Sequence, residues 1–260
     1  MARIYPLFSS SKGNAAFVGT PEGGVLIDAG VSFRRLTAAM ERAGLPLSAV
    51  QGVFITHDHS DHIAGLKMLS CRLNVPIYAQ RITMRNLIDR DFVAPQARLA
   101  EMHGTVQIAG LTVSAFETSH DTDQSCGYRI VCADGRVCAV CTDLGVVTKT
   151  VSEALSGCDL VLLEANYDPN MLRNGPYPAN ITARIASKFG HLSNSDSAQT
   201  ARMLVESGTT RLLLGHLSQE NNRPALAEAA VTGALEGYVR GEDYLLSVAK
   251  PESDGEMIVF

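Results

Sequence analysis

The segment Thr56-His57-Asp58-His59-Ser60-Asp61-His62 constrains this chain more than any other. It is an H-x-H-x-D-H box that follows directly on the apolar run Val53-Phe54-Ile55. Along a strand successive side chains alternate between faces, and along a helix only residues three or four apart share one. Three imidazoles and a carboxylate this closely spaced therefore converge only where a strand ends, the chain turns and a helix begins, here at Ser60. Three lone residues behind later apolar runs complete the pattern: His120 after Leu111–Phe116, Asp143 after Val137–Thr142, and His216 after Leu212–Leu214. Imidazole suits zinc, and a shared carboxylate suits a bridged pair of divalent ions. A single histidine is ordinarily a surface or hydrogen-bonded residue. His103, which stands outside every motif, is read that way.

Bulk properties narrow the classes. With 46% hydrophobic and 19% charged residues among 260, the chain has an ordinary globular composition and enough length for a large core. No apolar run reaches the length needed to span a bilayer. The start, Met1-Ala2-Arg3-Ile4-Tyr5-Pro6, reads as a first strand rather than a signal peptide, which favours the cytosol. Cysteines 71, 126, 132, 138, 141 and 158 show no framework spacing. Cys138 and Cys141 form a C-x-x-C, but within a strand residues three apart point to opposite faces, so both read as buried free thiols. A net charge of −5 gives no electrostatic footprint for nucleic acid. Phosphate would have to be neutralised locally, by metal ions or by arginines such as Arg34, Arg35, Arg81, Arg85 and Arg173. Nothing in the residues speaks to oligomeric state.

Short strands and helices alternate throughout, with no linker, repeat or low-complexity stretch, so residues 1–260 read as one domain. Strands are expected over 4–8, 15–19, 24–27, 52–56, 75–79, 105–108, 111–116, 126–132, 136–142, 159–163, 211–215, 244–248 and 256–259. Helices are expected over 33–43, 61–73, 83–89, 151–155, 179–188, 196–206 and 224–238. Asp134-Gly135 marks a hairpin, and Gly110 another. Hairpins interspersed with helices indicate an α/β fold of two packed sheets with helices outside, a four-layer αββα sandwich, rather than a doubly wound parallel sheet.

Asp28, His57, His120, Asp143, Glu164 and His216 each sit at or just past the carboxyl end of an apolar run. Such groups are costly to bury unpaired, and a metal pair compensates them. We assign His57, His59 and His120 to one ion and Asp61, His62 and His216 to the second, with Asp143 bridging. Asp61 belongs to the catalytic set as well. Water held between two ions becomes a hydroxide nucleophile near neutral pH. Asp28 reads equally as a turn residue or as an acceptor for a ligand imidazole N–H. Glu164 and His191 lie outside the ligand set and could pair as the general acid that phosphodiester cleavage needs. Ser9–Asn14 reads as a small-residue loop able to approach an anion.

These residues resemble the metallo-β-lactamase-fold hydrolases, over nearly the whole chain, and within them the YycJ/WalJ-like (VicX) subgroup of bacterial proteins. The likeness is carried by Ser9–Asn14, Leu26–Gly30, Thr56–Gly65, Thr142–Gly145, Glu164–Asp168, Gly190–Asn194 and His216–Asn222, of which the last three are the most specific. It implies an αββα fold, two divalent ions (Zn²⁺ or Mn²⁺), and phosphodiesterase action on DNA as a 5′→3′ exonuclease. The ribonuclease Z group is a more distant likeness with an acidic residue and a histidine corresponding to Glu164 and His191. Two departures stand out: Lys12 occupies a position where a small residue is expected, and the short interval between Asp143 and His216 leaves no room for a β-CASP cap. The alternative is a small-molecule metallo-hydrolase of β-lactamase, lactonase or glyoxalase-II type. A non-enzymatic metal-bound regulator ranks last, since the ligand set is complete.

Overall fold

Strands that are apolar at every position have to be covered on both faces, and this chain has several. A computed structural model describes residues 1–260. Strands β1 (Arg3–Ser10), β2 (Gly13–Thr20), β3 (Gly23–Ile27), β4 (Val50–Ile55), β5 (Pro76–Ala79) and β6 (Arg98–Glu101) form the first sheet in that order. The second sheet contains β7 (Thr105–Ile108), β8 (Leu111–Glu117), β9 (Cys126–Val131), β10 (Val137–Cys141), β11 (Leu160–Glu164), β12 (Arg211–Gly215) and β13 (Leu245–Val248), again in sequence order. A final strand, β14 (Ile258–Val259), returns to pair with β1.

Along β10, Cys138 and Val140 enter the core between the sheets while Ala139 and Cys141 face the outer layer. Along β11, Leu160 and Leu162 point inward and Val161 and Leu163 outward. The inner core joins Ile4, Val25 and Phe54 of one sheet to Tyr128, Ile130 and Leu213 of the other. Helices α1 (Phe33–Arg42), α2 (Ser60–Ile63), α3 (Leu66–Arg72) and α4 (Arg81–Asp89) follow strands of the first sheet. Leu36, Met40, Leu66, Leu69 and Leu87 from this group bury its outer face. The remaining helices are α5 (Lys149–Leu155), α6 (Pro169–Asn174), α7 (Ala179–Ile185), α8 (Asn194–Glu206) and α9 (Pro224–Ala234). Of these, α5, α8 and α9 cover the second sheet through Val151, Leu155, Leu204, Ala227 and Val231. The result is the four-layer αββα sandwich. No helix is long and apolar enough to cross a membrane.

Both hairpins form where turn residues announced them. Gly135 adopts φ 83° between β9 and β10, and Ala109 and Gly110, at 55° and 71°, make the turn with two positive φ values between β7 and β8. Four expectations need correction. The single helix expected over 61–73 is two, because Gly65 breaks it: its N–H donates to Ala29 O at 2.8 Å, and a Cβ there would meet Val31 O at 2.2 Å. Strand β6 was not anticipated, since Arg98-Leu99-Ala100-Glu101 lies on a half-exposed edge and alternates weakly. Nor was α6, which starts at Pro169 with Asp168 Oδ1 accepting the N–H groups of Asn170 and Met171. The loop expected at Ser9–Asn14 is mostly strand, and only Ser11 and Lys12 are exposed at its turn.

The alternation along β10 puts the Cys138 and Cys141 thiols in different cores, and burial pushes both well above the usual thiol range. Both should stay unmodified by iodoacetamide in the native protein and react on denaturation, while exposed Cys71 reacts at once. Mass spectrometry reads the difference, and a Cys138–Cys141 bridge would contradict the strand.

Candidate metal centre

Strands β3 and β4 run parallel, as do β10, β11 and β12, so each group brings its carboxyl ends to one side. At three of these ends the chain leaves the strand through left-handed backbone: Asp28 at φ 61°, Asp143 at 59° and His216 at 54°. Non-glycine residues hold that conformation at a cost of order 1–3 kcal/mol, and only where the surroundings enforce it. Here it turns each side chain back toward a common point. Asp28-Ala29-Gly30 crosses beside α2, with Ala29 N–H donating to His62 O at 2.8 Å. At Gly30 a Cβ would lie 1.6 Å from Asp61 O, so only glycine permits the approach.

The donors gather into overlapping sets. His57, His59 and His120 form one; Asp61, His62 and His216 a second; His57, His62 and Asp143 a third; within each, ligand atoms lie within 4.8 Å of one another. Asp143 stands between the first two, with Oδ2 3.1 Å from His62 Nε2 and Oδ1 3.3 Å and 3.7 Å from the Nε2 atoms of His216 and His120. His57 Nε2, His216 Nε2 and Asp143 Oδ2 are buried without a hydrogen-bond partner, a state that native interiors avoid. His59 Nδ1 and His120 Nε2 face each other at 3.3 Å. Divalent cations would satisfy all of these atoms at once, so the residues present fit such ions. Asp58 is turned away, accepting from Asn86, Arg90 and Thr122. His103 lies apart on the surface.

The opposite edges of the imidazoles are anchored. His120 Nδ1–H donates to Gly190 O at 3.0 Å, which leaves Nε2 as its free donor atom. His62 Nδ1–H donates to Asp28 Oδ2 at 2.7 Å, and Asp28 in turn accepts from the Thr56 N–H and hydroxyl, each at 2.8 Å. His216 Nδ1 meets Asn14 Oδ1 at 3.1 Å, while Asn14 Nδ2 donates to Ser10 O and lies 3.2 Å from Asp61 Oδ2. Partners of this kind fix tautomer and ring orientation in metal sites. The buried charges of the site also act on one another. Burial opposes charge on Asp143, yet His216, His62 and His57 hold its carboxyl well below the usual range. Burial pushes His57 well down, keeping it neutral. Burial also opposes charge on His62, but Asp143, Asp28 and Asp61 outweigh it and hold that imidazole well up.

His191 sits in the loop before α8, whose cap is Ser193. Its Nδ1 lies 2.7 Å from Glu164 Oε1, and its ring stacks on His216 with centroids 5.3 Å apart. Asp143, Glu164, His191 and His216 also fall within 4.8 Å of one another. That set is a poor cation cage, because Glu164 Oε2 already accepts the Leu144 N–H at 2.9 Å and Oε1 is taken by His191. Burial opposes a charge on His191, but Glu164, with Asp143 and Asp61 behind it, raises the imidazole to about 9.

Two site residues escaped the sequence reading. Asn14, taken for part of an anion-facing loop, is buried and ties Asp61 to His216. Asp121, ion-paired with Arg184, places a buried Oδ1 3.5 Å from His120 Nε2. Its position beside His120 was the one available signal.

Comparison with known proteins agrees with this architecture. A family model described as "Beta-lactamase superfamily domain" matches residues 24–217. Exodeoxyribonuclease YycJ of Bacillus anthracis is 34% identical over 252 residues, 95% of this chain and 94% of its own. Exodeoxyribonuclease WalJ of Streptococcus pneumoniae is 31% identical over 88% of this chain and 86% of its own. The zinc-bound structure of PqqB from Methylobacterium extorquens is similar in fold, with a TM-score of 0.75 at 18% identity, over 99% of this chain and 100% of that one.

The Glu164–His191 contact has a measurable signature in metal-free protein. The His191 ring should titrate near 9 by NMR, and Glu164→Gln should return it toward 6.5. A raised imidazole pKa stabilises the fold fully below the unfolded value and is lost as pH rises through the folded one. The stability gap between wild type and Glu164→Gln should therefore be widest below pH 6.5 and narrow as pH passes about 9. An unchanged His191 titration in the variant would mean the pair is not formed.

Proposed function

Since the chain belongs to the metallo-β-lactamase superfamily, in its YycJ/WalJ-like group, and is a metal-dependent hydrolase, we propose that its substrate is the phosphodiester backbone of DNA. In this reading it is a 5′→3′ exonuclease. Both relatives are exodeoxyribonucleases, which supports DNA over other substrates. His57, His59 and His120 would hold one divalent ion and Asp61, His62 and His216 the other, with Asp143 between them; zinc and manganese both suit this mixed set. Bound there, such ions supply Lewis acidity and a water acidified toward neutral pH.

The observation that carries the proposal is the buried Glu164 carboxylate 2.7 Å from His191 Nδ1. Breaking a phosphodiester expels an alkoxide, which leaves poorly without a proton. Glu164 favours the charged ring and fixes Nδ1, so Nε2 is the nitrogen that gives the proton. A hydrolase of activated small molecules has less use for such a pair. Residues 1–260 serve as one catalytic domain in this reading. Helices α5 to α8 and strands β11 and β12 fill the interval between Asp143 and His216, which supports the absence of a β-CASP cap. Six unbridged cysteines are in keeping with the cytosol.

Elemental analysis after mild purification should find about two ions per chain, and Asp143→Ala should lose both or hold one weakly. One tight ion with no second site on titration would overturn the paired assignment. His191→Ala should keep both ions and the fold yet slow DNA cleavage by about 10²–10⁴-fold. The loss should shrink on a p-nitrophenyl phosphodiester, whose leaving group needs no proton, and Glu164→Gln should follow the same pattern. Equal losses on both substrates would make His191 a positioning residue, and a lost ion would make it a ligand. Cephalosporin turnover without DNA shortening by wild type would favour the small-molecule hydrolase.

A further inference from the structure

The loop that delivers His191 carries two side chains that proton transfer does not use. Lys188 and Phe189 immediately precede Gly190, and Phe189 keeps 48% of its surface in solvent. A lone exposed phenylalanine ordinarily means little, but this one is held in place. Lys188 O accepts the Ser119 hydroxyl at 2.8 Å, and Gly190 O accepts His120 Nδ1–H. The Gly145 backbone packs so closely that a Cβ there would meet the Lys188 carbonyl carbon at 2.4 Å. The backbone that carries the ring is thus fixed between His120 and His191.

Phe189 is the one hydrophobic residue lining a cleft of about 380 Å³ that reaches His120. The remaining lining is polar and includes Glu117, Asp123, Gln124, Thr148 and Thr150. One aromatic wall among hydrogen-bonding groups fits a flat, polar heteroaromatic ring. The carboxylates of Glu117 and Asp123 repel phosphate but accept N–H groups, as carboxylates do from exocyclic base amines. Lys188 Nζ lies 4.9 Å from the ring centroid, over one face, leaving the other for stacking. A base still stacked and paired in a duplex cannot offer both its face and its edge to such a wall.

On the strength of the nuclease reading above, we propose that Phe189 and this cleft form a stacking subsite for the unpaired base of the nucleotide next to the scissile phosphate. The metal-loaded enzyme tests it with a single-stranded oligonucleotide, the same oligonucleotide carrying abasic nucleotides at its scissile end, and bis(p-nitrophenyl) phosphate. Phe189→Ala should raise KM for the intact oligonucleotide about tenfold or more, the usual scale of one base–aromatic stack, and Phe189→Trp should restore it. On the abasic oligonucleotide, wild type and Phe189→Ala should converge. A loss of the same size on all three substrates would reduce Phe189 to a structural residue, and persistence of the gap on the abasic strand would likewise overturn the subsite. Wild type that shortens DNA with Phe189→Ala indistinguishable from it sinks this inference alone. Wild type that leaves DNA intact sinks the nuclease reading and the subsite together.

Discussion

Asp143, sealed at 2% exposure where β10 ends, cannot keep its charge without positive partners, and the surrounding architecture supplies them. Imidazoles reach it from the α2 turn, from the loop after β8 and from the end of β12. Outward from each, a second polar contact passes the constraint to the backbone: Gly190 O behind His120, Asp28 and Thr56 behind His62, Asn14 behind His216. The site is in this sense a hydrogen-bonded extension of both sheets.

The same constraint makes a net charge of −5 compatible with the anionic substrate proposed above. Charge is arranged by depth, with carboxylates and imidazoles interleaved in a dry interior where interactions are weakly screened. Long-range attraction of a polyanion has little to work with. Recognition then falls to what lies within a few ångströms of the strand ends.

Much of this was legible because ligand chemistry demands particular residue types and strand ends offer few positions for them. The H-x-H-x-D-H box after Ile55, and Asp143 and His216 after their apolar runs, are visible without coordinates. The layer order followed from hairpins, such as the one at Asp134-Gly135, interspersed with helices. Asn14 was hidden because its partners, Asp61 and His216, lie far off in sequence, and an amide in a Ser/Gly-rich stretch looks like a turn. The break at Gly65 was hidden because apolar periodicity continues through it, while its cause is the backbone of Val31. No residue pattern announces a left-handed histidine at 216; that conformation comes from the Ser9 hydroxyl gripping its N–H and from the neighbouring strand ends.

Because β10 and β11 divide their side chains between two dry cores, a strand shifted by one position exchanges every inward group for an outward one. Inserting or deleting a single residue within β10 would therefore swing Asp143 out of reach of its imidazoles while also misfiling the core. The hairpin at Asp134-Gly135, at the other end of the same strand, carries no such restriction. Length variation is thus tolerable at one pole of the molecule and forbidden at the other. New surface can be grafted onto the distal turns without disturbing the spacing of the reactive groups, and the strands between act as rulers that keep the two poles independent.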